Sequence, residues 1–300
     1  MSSHPGAEHR SGRVALVGRP NVGKSTLLNR LVGCKLAITS ARPQTTRQRL
    51  TGIVTRAGAQ IEFVDTPGFQ TEHRSALNSA MNRGVAAGLQ DVDAVVWLVE
   101  ALKYDERDEA VARLLAGSRP VILAINKTDQ VGDRKLLLPF IARLARLRDF
   151  EAIVPISAAK GWQVAELLDA IVALLPEGPP IHAEDDITTA SERFLAAELL
   201  REKLFRSLGE ELPYASSVGI DRFRQEGNLR TIQASIVVDK ESQKAIVIGS
   251  GGRQLKLIAS QARREMERLF GGKVFLEVWV KVKRGWADDP ATLRRMGFND

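Results

Sequence analysis

The chain has 300 residues, of which 44% are hydrophobic and one is a cysteine, and a formal net charge of +7. That length suits about two domains, no apolar run approaches the roughly 18 residues of a membrane-spanning helix, and a single thiol excludes an intrachain disulfide or a cysteine metal cluster. A pI near 9.7 points towards a polyanionic partner, although solubility alone would account for a mild basic excess. Residues 1–11 are polar, lack the apolar segment of a secretory signal, and read as a disordered tail. Strands are then expected at 13–17, 50–55, 61–64, 93–99, 121–125 and 152–155. Helices are expected at 24–31, 75–88, 107–116, 136–147 and 164–175. The run from Ala94 to Val99 is apolar throughout, as in a strand covered on both faces. This alternation predicts an α/β fold with a mostly parallel, doubly wound sheet, which binds ligands at the carboxyl ends of its strands.

The composition changes at Pro176, and 177–189 reads as a linker, with Glu184, Asp185 and Asp186 a solvated acidic cluster. Domains are therefore expected at 12–176 and 190–300. The second reads helix, strand, strand, helix, strand. It has a helical face over 191–207, strands at 216–224 and 229–238 around Gly227-Asn228, and a basic amphipathic helix over 255–270. In the last strand, 274–282, Val274, Leu276, Val278, Val280 and Val282 lie on one side. Cys34, beside the end of the first helix, reads as packing rather than as a nucleophile. His4, His9, His73 and His182 are scattered and match no metal or triad spacing.

Gly18-Arg19-Pro20-Asn21-Val22-Gly23-Lys24-Ser25 fits G-x-x-x-x-G-K-[ST] between a predicted strand and helix. Backbone N–H groups and a helix N-terminus converge there on one spot, which suits a polyphosphate. Lys24 can reach the β and γ phosphates, and the Ser25 hydroxyl can take Mg²⁺. This loop does not separate ATP from GTP. Asn126-Lys127-Thr128-Asp129 follows the strand at 121–125, and an aspartate there can accept from both the N1–H and the 2-amino group of guanine. Adenine offers no such pair, and a buried carboxylate left unsatisfied costs about 1–3 kcal/mol. Ser157-Ala158-Ala159-Lys160 follows the next strand, where small residues let a backbone N–H approach the guanine oxygen. Asp65-Thr66-Pro67-Gly68 ends the strand at 61–64, placing Asp65 to hold Mg²⁺ and the Gly68 N–H to meet the γ-phosphate. Thr45 or Thr46 can complete the metal shell, and loss of the γ-phosphate would release that segment.

These motifs, with Gln44-Thr45-Thr46-Arg47, resemble the translation-factor-like GTPases. Pro213-Tyr214, Val247-Ile248-Gly249-Ser250-Gly251-Gly252 and 276–283 followed by Gly285-Trp286 narrow the likeness to the Era-type GTPases, which carry a C-terminal KH domain. The resemblance spans about residues 13–298. It implies a P-loop GTPase domain plus a smaller α+β KH (type II) domain. It also implies GTP hydrolysis with GTP, GDP and Mg²⁺, and binding near the 3′ end of 16S rRNA in 30S ribosomal subunit biogenesis. A cytoplasmic monomer is expected, with peripheral contact at the inner face of the cell membrane. By similarity the nucleotide contacts are Gly18, Arg19, Pro20, Asn21, Val22, Gly23, Lys24, Ser25, Thr26, Asp65, Thr66, Pro67, Gly68, Phe69, Asn126, Lys127, Thr128, Asp129, Ser157, Ala158 and Ala159. Ser25, Thr46 and Asp65 are the metal residues, and Lys24, Thr46 and Gly68 the catalytic ones. Some GTPases orient water with a glutamine just after Asp-x-x-Gly. Phe69 stands there and cannot accept a hydrogen bond, so turnover without partners is expected to be slow.

Gly249-Ser250-Gly251-Gly252 also matches the G-x-x-G loop that clamps about four nucleotides of single strand. It lies between a strand-like apolar run and the basic helix, and the expected RNA contacts are Ile248, Gly249, Ser250, Gly251, Gly252, Arg253 and Lys256. Ten Lys/Arg oppose three acids between Lys244 and Arg284. Without the resemblance, a solvated face and an RNA surface stand level; Trp279 and Trp286 read as core before stacking platforms. Two rivals remain open. One is a membrane signalling GTPase whose basic helix reads anionic lipid, and the other an RNA-binding protein whose GTPase domain only adds stability.

Overall fold

A computed structural model describes residues 9–39, 49–66, 88–117, 119–208 and 216–289. The expected helix at 75–88 therefore lies, apart from Gly88, outside the described residues, as do Thr45, Thr46, Pro67, Gly68, Phe69, Pro213 and Tyr214. The chain divides into two units, one holding most residues to Thr189 and the other holding those from Ala190 on together with Ile38 and Thr39.

The first unit contains β1 (Arg10–Val17), α1 (Lys24–Val32), β2 (Leu50–Arg56), β3 (Ala59–Asp65), β4 (Ala94–Glu100), α2 (Glu106–Leu114), β5 (Val121–Asn126), α3 (Leu137–Leu144), β6 (Ala152–Pro155) and α4 (Val164–Leu174). Its six-stranded sheet has the order β2-β3-β1-β4-β5-β6. All neighbours are parallel except β2 and β3, an antiparallel pair at one edge. Every residue of β3, β4 and β5 is buried, as the continuous apolar runs of β4 and β5 require, whereas β3 buries Gln60, Glu62 and Asp65 among its apolar residues. Trp97 of β4 packs among Val111, Leu123, Phe140 and Leu144. The parallel order brings the carboxyl ends of β1, β4, β5 and β6 to one side, where the glycine-rich loop and the later motifs emerge.

Two expectations change here. Arg10 and Ser11, assigned to a tail, belong to β1 and pair with Ala59 and Gln60 of β3. Their side chains carry no apolar signal; backbone pairing recruits them, with Ser11 N donating to Pro176 O at 3.1 Å. The stretch read as a linker is fastened to the first unit. Gly178 N donates to His9 O, the N–H groups of Ile181 and His182 both donate to the buried Gln60 Oε1, and Ile53 N donates to Ile187 O. Proline and acid-rich composition ruled out a helix but carried no sign of these partners.

The second unit contains α5 (Glu192–Ser207), β7 (Ser216–Glu226), β8 (Leu229–Val238), α6 (Glu241–Ile248), α7 (Arg253–Phe270) and β9 (Lys273–Val282). β7 and β8 are antiparallel, β8 and β9 parallel. Ser191 caps α5 by accepting from Phe194 N. The buried stripe of α7, Ile258, Ala262 and Met266, has four-residue spacing and packs with Leu199, Leu200 and Leu204 of α5 against Ile232, Ala234, Ile236, Val274 and Val280 of the sheet. The element missing from the sequence reading is α6. Ala245 to Ile248, expected as strand-like, is helical, and Gln243 Oε1 accepts from the N–H groups of Asp239 and Lys240 at its start. Only Val247 of this helix is buried, and an apolar run this short has no decisive period. The glycine loop consequently joins two helices, as in a KH domain. Trp286 is buried, as expected, whereas Trp279 is 44% exposed, on the solvent side of β9.

Candidate nucleotide site and nucleic-acid interface

The glycine-rich loop turns tightly between β1 and α1. Gly18 has φ 154° and Gly23 φ 109°. A Cβ on Gly18 would lie 2.6 Å from Leu98 O, and one on Gly23 would lie 2.2 Å from Asn126 Nδ2. Both positions exclude side chains for lack of space, leaving the loop's backbone free to face a ligand. Asn21 and Lys127 hold left-handed backbone at φ 61° and φ 66°, uncommon conformations that collect at functional sites.

Asn126 joins three motifs. Its Nδ2 donates to Val22 O at 2.8 Å, and its Oδ1 accepts from Ala158 N at 2.9 Å. The 157–159 loop is also held by α1, because Arg30 donates to the carbonyls of Ala158 and Ala159. Ser157 Oγ donates to Asp129 Oδ1 at 2.6 Å and accepts from Lys160 N, which fixes the carboxylate expected to read a base edge. Thr128 is anchored on Ile156 O through both its N–H and its hydroxyl.

Lys24 opens α1 with its side chain buried, and its Nζ donates to Gly18 O at 2.8 Å and Arg19 O at 3.1 Å. Burial lowers its pKa to about 8, against the opposing pull of Asp65. Ser25 Oγ donates to Oδ2 of the fully buried Asp65 at 2.9 Å. A hydroxyl and a carboxylate side by side suit Mg²⁺, which takes one or two protein oxygens and draws its other ligands from phosphates and water. Of the expected metal residues these two come together; Thr46 is outside the described residues.

Sequence reasoning missed the acids behind the loop. Glu100, at the end of β4, lies 3.4 Å from Arg19 and 2.7 Å from Lys127, and also pairs with Lys103. Burial pushes its carboxyl up, but the hydrogen bonds from Lys103 and Lys127 outweigh it, so its pKa falls below the ordinary value. Asp108 is fully buried 3.2 Å from Arg19 Nε, and burial raises its pKa to about 6 despite that guanidinium. Arg19 and Lys127 are thus tethered from behind. The available signal was the place of Glu100, an acid closing a buried apolar strand.

In the second unit, Gly249, Gly251 and Gly252 all have positive φ, at 70°, 59° and 76°. Gly252 N donates to Gly249 O at 3.1 Å, so the loop is a tight turn, and α7 starts directly after it with no acid in its first turn. A Cβ on Gly251 or Gly252 would meet nothing within 4 Å, so this backbone is open to an approaching phosphate. Arg253 and Lys256 are exposed beside it, and Ile248 is half-buried. Uncapped N–H groups at the start of α7 favour an anion.

Fold and site together define a P-loop GTPase followed by a KH domain. The family described as 50S ribosome-binding GTPase matches residues 13–127, and the KH domain family matches 211–287. GTPase Era of Nitrosomonas eutropha is 54% identical over 290 residues, covering 97% of this chain and 98% of the relative. GTPase Era of Chromobacterium violaceum is 53% identical over 288 residues, covering 96% and 97%. Two solved structures match with TM-score 0.93, each covering 97% of this chain and 100% of the other. One, 39% identical, is an Aquifex aeolicus Era variant bound to GDP·AlF4⁻. The other, 38% identical, is Era with MgGDPNP and nucleotides 1506–1542 of 16S ribosomal RNA. This chain belongs to the Era family of GTPases. Among its described residues no helix is long and apolar enough to cross a membrane.

Proposed function

We propose that the chain is a GTP-driven switch that binds 16S rRNA near its 3′ end and assists assembly of the 30S subunit. The observation that carries this reading is the full-length likeness to an Era structure holding 16S rRNA and a GTP analogue, combined with an open G-x-x-G loop here. Gly18–Thr26 cradle the phosphates, and Asp129, oriented by Ser157, reads guanine. Lys127 covers the base, and the small side chains of the 157–159 loop let a backbone N–H approach the guanine oxygen. Ser25 and Asp65, with Thr46, would hold Mg²⁺, which when bound neutralises charge developing on the transferred phosphoryl group. Lys24 brings a cation to the β and γ phosphates, and Gly68 contributes its N–H. Phe69 leaves the attacking water to other groups, so turnover is slow until a partner supplies them. Ile248 to Arg253 and Lys256 clamp the RNA. The chain is read as a cytoplasmic monomer, and its basic excess suits peripheral contact with the anionic inner face of the cell membrane.

The test is crosslinking in cells, followed by sequencing of the bound RNA, for wild type and Gly251→Asp. Reads concentrated at the 16S 3′ end in wild type and lost in the variant are expected; an even spread over all RNA in both sinks the proposal.

A further inference from the structure

The three strands of the second unit have two unlike faces. One carries Ile232, Ile236, Val274 and Val280 into the core beneath the helices. On the other, the edge strand β9 presents Phe275, 53% exposed, and Trp279, 44% exposed. They alternate with the core residues and stand four positions apart, about 13 Å along the strand. Between them Glu277 accepts from Gln233 Nε2 at 2.9 Å, setting an amide and a carboxylate on the floor of the gap. The register places Thr231 beside Phe275 and Ser235 beside Trp279, so the floor is polar. Arg222 and Arg224 of β7 pair across from Gln233 and Thr231, while Lys273 and Lys281 close the two ends of β9, and all four are exposed. Of the acids on this face, Glu277 is engaged with Gln233 and Asp221 with Ser235 and Lys281, and Glu226 stands at the far end of β7 opposite Leu229.

Two large aromatics in the open, on an edge strand, are a liability for a protein that needs nothing from them. A protein partner's apolar surface would suit the rings but not the polar floor or the four cations around it. Single-stranded RNA suits all three: bases stack on rings, base edges meet amide and carboxylate, and phosphates meet Arg and Lys. We infer that this outer sheet face is a second RNA-binding surface, separate from the glycine loop on the helical side, which takes a further single-stranded stretch of the same RNA. This rests on the RNA-binding reading above and extends its footprint across the domain.

The test measures binding of an RNA spanning 16S nucleotides 1506–1542 to the full chain by fluorescence anisotropy. Stacking of this kind is worth roughly tenfold in affinity per base. Phe275→Ala/Trp279→Ala is expected to bind at least tenfold more weakly, and Trp279→Phe, which keeps a ring, within about threefold of wild type. Arg222→Glu/Arg224→Glu, which leaves both aromatics in place, is expected to weaken binding and flatten its salt dependence. Circular dichroism and thermal melting establish that each variant is folded. Wild-type affinity in both double variants, with binding lost in Gly251→Asp, overturns the inference and leaves the RNA reading standing. Failure of the wild-type chain to bind removes both. Unchanged RNA affinity with a shift from dimer to monomer in the aromatic variant would make this face a contact between copies, which also overturns it.

Discussion

Two glycine loops stand at the heads of two helices, α1 and α7, and they are glycine-rich for different reasons. In the first, the missing side chains would collide with the protein itself: Leu98 O at Gly18 and the Asn126 amide at Gly23. In the second, a Cβ on Gly251 or Gly252 would enter open space, and only the left-handed backbone calls for glycine. One loop is locked into a scaffold that joins four strand ends. The other is an exposed turn whose outer side is left for a ligand. Substitution should therefore damage the first through architecture and the second through access.

Gly23→Ala gives the sharpest break. Its Cβ displaces Asn126, which ties Val22 to Ala158. GTP affinity should fall by a hundredfold or more in a fluorescent-nucleotide titration, and the first unit should melt at a lower temperature. A variant with wild-type affinity would mean that the crowding relaxes at no cost. Asp129→Asn comes next. It removes one acceptor and turns a donor towards the base, so GTP binding should weaken by roughly 10- to 100-fold. Selectivity over ATP should shrink with it in competition assays, while the melting temperature moves little.

Gly251→Asp sharpens the contrast from the other side. An added carboxylate in left-handed backbone should lower 16S RNA affinity about tenfold or more. GTP hydrolysis measured without RNA should stay at the wild-type rate, since no crowded contact is disturbed. A collapse of hydrolysis would mean that this loop is structural after all.

The smallest effect concerns proton linkage at Lys24. Burial holds its folded pKa near 8, below the value 10.5 of a free lysine, so the folded protein binds fewer protons than the unfolded chain between those limits. Lys24 therefore makes stability rise with pH from about 8 to 10.5. A phosphate beside the ammonium favours the charged form, so nucleotide binding should take up protons near pH 8. Calorimetry in buffers of different ionisation enthalpy should find that uptake, with affinity falling as pH rises past 8. No uptake would place the ammonium away from the phosphates.

Much of this was legible in the sequence because the signals are local. Strand cores are written as apolar runs, and β4 from Ala94 to Val99 is buried throughout as its composition requires. The P-loop spacing and the Asn126–Asp129 tetrapeptide each follow a strand, so a parallel sheet brings them to the same edge. What sequence could not give was pairing between distant residues. Arg10 and Ser11 join β1 through backbone bonds with no side-chain pattern, and 177–189 is fastened by Gln60, a residue more than a hundred positions away. Glu100 and Asp108 reach Arg19 only because β4 and α2 pack behind the loop. The helix at 241–248 was hidden because eight residues with one buried side chain carry no usable period. Trp279 was misjudged for the opposite reason. Its alternation places it on the outer face, but composition favours a buried tryptophan, and only the sheet decides between them, with helices on one side and, among the described residues, none against Trp279. Sequence thus determined which chemistry this chain carries, since motif and period are properties of neighbours. Tertiary structure alone decided which charged groups meet and which aromatics face water, because those depend on residues that the chain holds far apart.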